Sequence, residues 1–136
     1  MSGSFLNRTR RFLLDTNIMI GLRNRDRSIM RRITPEMDLY LPSIGLGEMF
    51  SGAHRSDRVQ ENLQAMKDLF KAFPILPCNG GTAEAYGVLH SYLLNKGRPI
   101  PDNDLWIAAI AHQRNITLIS RDTHFQYIDF LSLLVW

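Results

Sequence analysis

Four acidic residues stand where parallel α/β proteins place their chemistry. Asp15 and Asp122 each follow a short apolar run that predicts a buried strand. Glu48 and Asp104 lie near the starts of predicted helices that follow a strand or a rigid connector. In a parallel sheet, the carboxyl ends of strands and the starts of the following helices share one edge, where ligands bind. The four carboxylates are therefore expected to converge in one cleft.

Such a cluster predicts a divalent metal site. Neighbouring carboxylates raise one another's pKa, and a bound cation removes that conflict. Oxygen ligands favour Mg²⁺ or Mn²⁺ over zinc. The single cysteine, Cys78, and four scattered histidines offer no zinc-site spacing. Because such ions activate water and stabilise charge on phosphoryl oxygens, the predicted chemistry is metal-dependent phosphodiester hydrolysis.

Each acid also has a structural interpretation. An acidic residue at a helix start can cap the helix or interact with its dipole. This explanation suits Asp102 and Asp104 well, and suits Glu48 less well because it falls a full turn into its helix. Taken alone, Asp15 is equally well explained as a helix cap or as a metal ligand. The four acids together favour the metal site, and Asn17 then becomes the better candidate for the cap.

Strands and helices alternate along the chain. Short strands are predicted at 11–15, 39–41, 75–78 and 117–120, with an edge strand at 133–136. Helices are predicted from Thr16 or Asn17 onward and at 27–33, 44–53, 57–72, 83–95 and 103–114, with a short helical turn near His124. This order indicates an α/β fold with a central parallel sheet covered on both faces. The first strand is expected at its centre, with the nearly apolar helix 103–114 packed against the middle of the sheet.

Several residues are predicted to set the helix ends. Ser43, Ser56 and Thr82 are plausible N-caps, and Gly97 is a good C-terminal stop. The glycines within helix 44–53 weaken its intrinsic propensity, but glycines in such helices often permit close backbone packing.

Length and composition indicate one globular domain. The 136 residues suffice for a hydrophobic core, and we expect a basic lead-in at 1–10 followed by a single domain at 11–136. One cysteine excludes an internal disulfide, which fits a reducing compartment. Because no stretch resembles a signal peptide or a membrane span, a soluble, cytoplasmic protein without membrane contact is predicted.

The charge pattern favours a phosphate-bearing partner. The chain carries 16 Lys+Arg against 13 Asp+Glu, and arginines are dense in its first quarter. If four acids bind metal, the remaining nine leave a basic excess of seven. Arginine binds phosphate through paired hydrogen bonds, although any single arginine is more simply explained as a solvated surface residue.

These residues resemble the PIN-domain ribonucleases, specifically the VapC-like toxins of type II toxin–antitoxin systems. The resemblance covers about residues 12–136. Each motif is weak alone, but their order over this length is specific. The motifs are Leu13-Leu14-Asp15-Thr16-Asn17, residues 43–52 around Glu48, residues 102–109 around Asp104, and Ser120-Arg121-Asp122 with Phe125.

The resemblance implies a three-layer α/β/α sandwich and a catalytic set of four acids. Asp15 and Asp104 would bind Mg²⁺ or Mn²⁺ directly. Glu48 and Asp122 would act through water or a second ion. All four positions of the family pattern are acidic in this chain.

Three further residues are given accessory roles by the resemblance. Thr16 and Ser120 would be supporting hydroxyls. Asp102 departs from the commonest pattern, and it would be an N-cap or an accessory ligand, with the cap preferred. The family also implies a homodimer and a small antitoxin protein whose tail blocks the cleft.

The leading hypothesis is a metal-dependent endoribonuclease that acts as a toxin. Basic residues at the rim, such as Arg23, Arg25 or Arg98, would hold the RNA backbone. One alternative keeps the fold but assigns it to RNA processing or DNA metabolism, and a neighbouring antitoxin gene would distinguish the two. A second alternative is a non-catalytic RNA-binding module, which the complete acidic set disfavours.

Overall fold

A five-stranded sheet runs through the middle of the molecule. The structure, a computed structural model, describes residues 10–136. The strand order is β3-β2-β1-β4-β5, and every neighbouring pair is parallel. The strands are β1 (Arg10–Leu14), β2 (Met37–Pro42), β3 (Ile75–Leu76), β4 (Thr117–Ser120) and β5 (Leu133–Val135). The central position of β1, the edge position of β5 and the α/β class are confirmed.

Six α-helices and one 3₁₀ helix connect the strands within the described residues. They are α1 (Thr16–Arg23), α2 (Arg27–Arg32), α3 (Ser43–His54), α4 (Val59–Ala72), α5 (Gly80–Lys96), α6 (Asp102–Arg114) and the 3₁₀ helix Thr123–Tyr127. Most predicted boundaries differ from these by one to three residues, as helix ends usually do. β1 begins one residue early, at Arg10, and the rest of the predicted lead-in, 1–9, lies outside the described residues.

Alternate residues of β1 enter two separate cores. Phe12 and Leu14 pack into a cluster with residues of α1, α2, α3 and α4. Leu13 faces the opposite side, in a cluster with residues of α5, α6 and the 3₁₀ helix. This division follows from the two-residue repeat of a strand, which sends successive side chains to opposite faces. The sheet is therefore covered on both faces, and the three-layer sandwich is confirmed.

Helix α6 lies against the centre of the sheet, as predicted. Ile107, Ala108, Ala109, Ile110 and Ala111 are all fully buried. They share a cluster with the middle strands β1 and β4. The amino end of α6 is thereby held at the carboxyl edge of the sheet.

Two predicted N-caps at α3 and α4 are wrong. Ser43 is the first residue of α3, and the cap position is Pro42, which offers no side-chain hydrogen bond. Ser56 does not cap α4, because its hydroxyl donates back to the carbonyl oxygen of Ala53 at 2.6 Å. The α4 helix begins only at Val59.

The start of α5 is also one turn earlier than predicted. Asn79 is its N-cap and Thr82 is the third helical residue. The amide of Thr82 donates to Asn79 Oδ1 at 3.2 Å, and the amide of Asn79 donates to Thr82 Oγ1 at 2.9 Å. This reciprocal pair is a capping box, and it satisfies two otherwise unpaired N–H groups. The predicted stop at Gly97 is confirmed, with a left-handed φ of 70°.

None of the helices within residues 10–136 combines the length and apolar character needed to cross a membrane.

Candidate active site

Asp15 lies buried at the carboxyl end of the central strand, with 2% of its surface exposed. Its Oδ1 accepts a hydrogen bond from the amide of Thr16 at 2.9 Å, and its Oδ2 accepts one from Ser120 Oγ at 2.6 Å. Asp15 is the N-cap of α1, so the prediction that Asn17 caps this helix is wrong. Because the helix begins at Thr16, Asn17 is already in its first turn, and its side chain accepts from the amide of Arg121 at 3.3 Å.

Ser120 connects the ends of two strands. Its hydroxyl is fully buried, donates to Asp15 and accepts from the amide of Asp122 at 2.9 Å. Strand β4 pairs directly with β1, which brings Ser120 to Asp15 across 105 residues of sequence. The hydroxyl thus orients one acid and anchors the backbone of another.

Asp104, Asp122 and His124 form a group that could hold a metal ion. One ligand atom from each lies within 4.8 Å of the other two. Asp104 is the third residue of α6, Asp122 precedes the 3₁₀ helix, and His124 lies within that helix. His124 Nε2 is 3.2 Å from Asp104 Oδ2, yet this buried nitrogen has no hydrogen bond of acceptable geometry.

His124 was not predicted as a site residue. In the sequence it is one of four scattered histidines, whereas the structure places it beside Asp104. Its position two residues after Asp122 was the available signal, because the turn that follows β4 must begin at the same sheet edge as the acids.

Glu48 joins the site through Thr16. It lies in the middle of α3, and its Oε1 accepts a hydrogen bond from Thr16 Oγ1 at 3.3 Å. Because Gly45 has no side chain, α3 can pack closely against α1 at this point. A Cβ atom at Gly45 would lie 3.0 Å from Thr16 Oγ1 and 2.4 Å from the terminal methyl of Met19.

Burial and mutual repulsion raise the pKa values of Asp15, Glu48 and Asp104. The pKa of Asp104 rises to about 6, first because of burial and then because of the charge of Asp15. Burial also raises the pKa of Asp15 above its ordinary value. The pKa of Glu48 is raised by burial and, to a smaller extent, by Asp15. A divalent cation would relieve this repulsion, and the carboxylate-rich donor set suits one.

Asp102 has a different environment. It is the first residue of α6, and the cap position is Pro101, so the prediction that Asp102 caps the helix is wrong. A residue already inside the first turn cannot reach back to the amides that an N-cap serves. Its Oδ1 instead accepts a hydrogen bond from the hydroxyl of Tyr86 at 2.5 Å.

A cavity that we call the basic cavity, because two arginines line it, includes Glu48 and Thr16 in its wall. It has a volume of about 370 Å³, and its lining includes Thr16, Glu48, Arg23 and Arg55. Of the arginines proposed from the sequence, Arg23 lines this cavity. Arg98 instead lies over the ring of Tyr127, at 5.2 Å, and Arg25 is exposed in the turn after α1.

Arg55 was not predicted from the sequence. It is the residue directly after α3, seven positions or about two helical turns beyond Glu48, and the two side chains line the same cavity. The seven-residue spacing from Glu48 was the sequence signal that could have identified Arg55 as a site residue.

Comparisons with known proteins agree with this geometry. Residues 12–131 match the PIN domain family. Ribonuclease VapC1 of Haemophilus influenzae is 34% identical over 130 residues, which cover 92% of this chain and 97% of that protein. The tRNA(fMet)-specific endonuclease VapC of Shigella flexneri is 27% identical over 115 residues, covering 83% and 87% respectively.

A solved structure has the same fold. VapBC2 from Rickettsia felis, bound to a DNA fragment from its promoter, contains a chain that superimposes with a TM-score of 0.85 and 27% identity. The match covers 93% of this chain and 98% of that one.

Proposed function

The chain belongs to the PIN domain family, and we propose that it is a metal-dependent endoribonuclease, the toxin of a type II toxin–antitoxin pair. The observation that carries this proposal is the convergence of Asp15, Asp104 and Asp122 at the carboxyl edge of the sheet, with Glu48 linked through Thr16. The similarity to ribonucleases over nearly the whole chain supports the reaction and its RNA substrate.

We assign the metal ligands among these acids. Asp15 and Asp104 would hold Mg²⁺ or Mn²⁺ directly, and Glu48 and Asp122 would act through water or a second ion. When bound, such an ion supplies an activated water and stabilises negative charge on a phosphoryl oxygen. No covalent intermediate with a side chain is required.

The surrounding residues keep Asp15 in place for this reaction. Each of its oxygens accepts one hydrogen bond, from Thr16 and from Ser120, and each retains a free lone pair for a further ligand. Burial of the carboxylate excludes competing water. Thr16 and Ser120 are therefore positioning residues.

The basic cavity is proposed to bind the RNA backbone. Arg23 and Arg55 lie beside Glu48, so a phosphate neighbouring the cleaved bond can contact them while the scissile phosphate meets the acids. Arginine suits this role because its planar group donates paired hydrogen bonds to phosphate.

We propose that residues 11–136 act as one PIN domain, that two copies form a homodimer in the cytoplasm, and that a small antitoxin blocks the cleft. The Rickettsia felis structure, a VapBC assembly, supports the antitoxin partner. Exposed apolar side chains such as Val88 and Leu94 on α5 offer surface for protein contacts.

Substitution of single acids tests the activity. Asp15→Asn and Asp104→Asn should each lower RNA cleavage by at least about a hundredfold, because each removes charge needed in the transition state. Purified variants are compared by mapping the 5′ ends of cleaved RNA. Asp57→Asn, at an exposed position between α3 and α4, is the matched control and should cleave normally. Wild-type cleavage by either site variant would contradict the assignment.

The toxin role is tested separately in a bacterial host. Expression of the wild-type chain should arrest growth, whereas Asp15→Asn should not. A toxin of this kind is expected to have a small antitoxin gene next to its own. Co-expression of that gene's product should restore growth, and the product should bind the chain during purification. RNA cleavage without growth arrest would favour a processing nuclease over a toxin.

A further inference from the structure

His124 is the one member of the three-residue metal group that is not a carboxylate. Its Nε2 is shielded from solvent and has no hydrogen-bond partner within the described residues. A buried polar atom without a hydrogen bond costs free energy, and a bound ion is one of the partners that can satisfy it. The burial of this nitrogen is therefore not compensated by any hydrogen bond within the described residues.

Asp104 is the nearest acidic neighbour of this nitrogen. His124 Nε2 and Asp104 Oδ2 are 3.2 Å apart, within ion-pair distance, but no hydrogen bond of acceptable geometry joins them. One ligand atom from each of Asp104, Asp122 and His124 lies within 4.8 Å of the other two, so these three side chains would be able to hold one cation together.

The neighbouring residues hold the imidazole in this position. Phe125 is fully buried in the core and anchors the 3₁₀ helix, and its ring lies 4.7 Å from that of His124. On the other side, the amide of Asp122 is bound to the buried hydroxyl of Ser120. The turn that contains His124 is thus held on one side by the hydrogen bond at Asp122 and on the other by the buried side chain of Phe125.

We propose that His124 supplies a nitrogen ligand to the divalent ion beside Asp104 and Asp122, so that the site binds Mn²⁺ in preference to Mg²⁺. This inference rests on the proposed function and refines it. Imidazole is a good ligand for first-row transition metals, whereas Mg²⁺ prefers oxygen ligands throughout. A site of carboxylates alone would lack this source of discrimination.

Pulsed electron paramagnetic resonance on the Mn²⁺-loaded full chain provides the direct test. A coordinated imidazole gives ¹⁴N modulation in the spectrum of the wild-type protein. His124→Asn should abolish that modulation, because an amide side chain coordinates through oxygen. His54→Asn, at an exposed position at the end of α3, is the matched control and should retain it.

Calorimetric titration with MnCl₂ and with MgCl₂ gives a second readout. His124→Asn should weaken Mn²⁺ binding by at least about tenfold and leave Mg²⁺ binding nearly unchanged. Thermal unfolding in EDTA checks that the variant is folded, and His124→Gln repeats the test if it is not. The absence of ¹⁴N modulation in the wild-type protein, or equal Mn²⁺ affinity in wild type and His124→Asn, would overturn the proposal.

These outcomes separate the inference from the proposed function. RNA cleavage with Mg²⁺ but no ¹⁴N modulation would overturn the role of His124 and leave the nuclease assignment in place. Nitrogen coordination of Mn²⁺ without any RNA cleavage would support the ligand and refute the nuclease.

Discussion

Asp15 caps a helix and keeps the oxygen lone pairs that its proposed role as a metal ligand needs. It caps α1 through the amide of Thr16, and it faces the acidic group with its other oxygen bound by Ser120. From the sequence, cap and ligand stood as alternatives, and the cap was assigned to Asn17. In the structure, the Asp15 carboxylate caps the helix and still has an unused lone pair on each oxygen that a metal ion could bind.

Ser120→Ala should lower cleavage by about tenfold to a hundredfold, as the removal of an outer-shell partner of a metal ligand commonly does. The alanine removes the donor to Asp15 and the acceptor of the Asp122 amide at once. The rate is measured in single-turnover cleavage at saturating metal. Ser132→Ala, which removes an exposed hydroxyl paired with Thr117, is the control. A wild-type rate in Ser120→Ala would show that this hydroxyl does not position the acids.

The raised pKa of Asp104 predicts a specific dependence of stability on pH. The folded protein holds this proton up to a pKa of about 6, above the ordinary value of 3.8. Its contribution to stability is therefore present below the unfolded pKa and is lost as the pH rises through about 6. In EDTA, the wild-type Tm should fall as the pH rises from the ordinary pKa of 3.8 to about 6. The fall should be smaller for Asp104→Asn, which has no carboxyl group to titrate at this position.

Repulsion among the acids should also make Asp104→Asn more stable than the wild type in EDTA at about pH 7.5, because the substitution removes a charge from a crowded group. Thermal unfolding measures the difference, with Asp57→Asn as the control. Saturating Mn²⁺ should reverse the order by stabilising the wild type preferentially. A lower Tm for Asp104→Asn in EDTA would show that the acids do not repel one another in the folded state.

The contact between α1 and α3 depends on one glycine. Of the three glycines in α3, only Gly45 lies where a Cβ would clash, whereas the positions of Gly47 and Gly52 are open. The terminal methyl of Met19 would have to move, and Met19 is fully buried. The prediction that glycines in this helix permit close backbone packing is therefore correct for Gly45 and wrong for Gly47 and Gly52.

Gly45→Ala should destabilise the protein by about 1–3 kcal/mol through overpacking. Gly47→Ala, on the exposed side of the same helix, should stabilise it by up to about 1 kcal/mol because alanine has the higher helix propensity. Urea unfolding of the two variants makes a matched comparison. Equal stability of both would mean that α3 can shift away from α1 at no cost.

Over the whole molecule, acidic and basic side chains lie in neighbouring positions at the sheet edge. The net charge is only +3, yet Asp104 and Asp122 lie in one group, while Arg23 and Arg55 line a cavity together with Glu48. This arrangement suits the proposed binding of a polyanion next to a divalent cation.

Replacement of both cavity arginines by alanine should weaken RNA binding. It should also lower the slope of log affinity against log salt by about one for each phosphate that these arginines neutralise. Fluorescence anisotropy with the inactive Asp15→Asn background measures binding without cleavage. Arg27→Ala, at an exposed position in α2, is the control. An unchanged slope in the double variant would place the RNA backbone elsewhere.

The sequence by itself determined the order of strands and helices and the edge at which the acids meet. Apolar runs and helical spacings are local, and the carboxyl ends of parallel strands necessarily share one edge. Those two facts place Asp15 and Asp122, which each follow a strand, at one edge of the sheet. Asp104 lies in a helix that follows a connector, so its position there also depends on how α6 packs against the sheet.

Only the tertiary structure decided which side chains touch there. The bond from Ser120 to Asp15, the approach of His124 to Asp104 and the tight fit of Gly45 against Met19 depend on strand register and helix rotation. Residues far apart in the chain set these quantities jointly through close packing, so no local pattern encodes them.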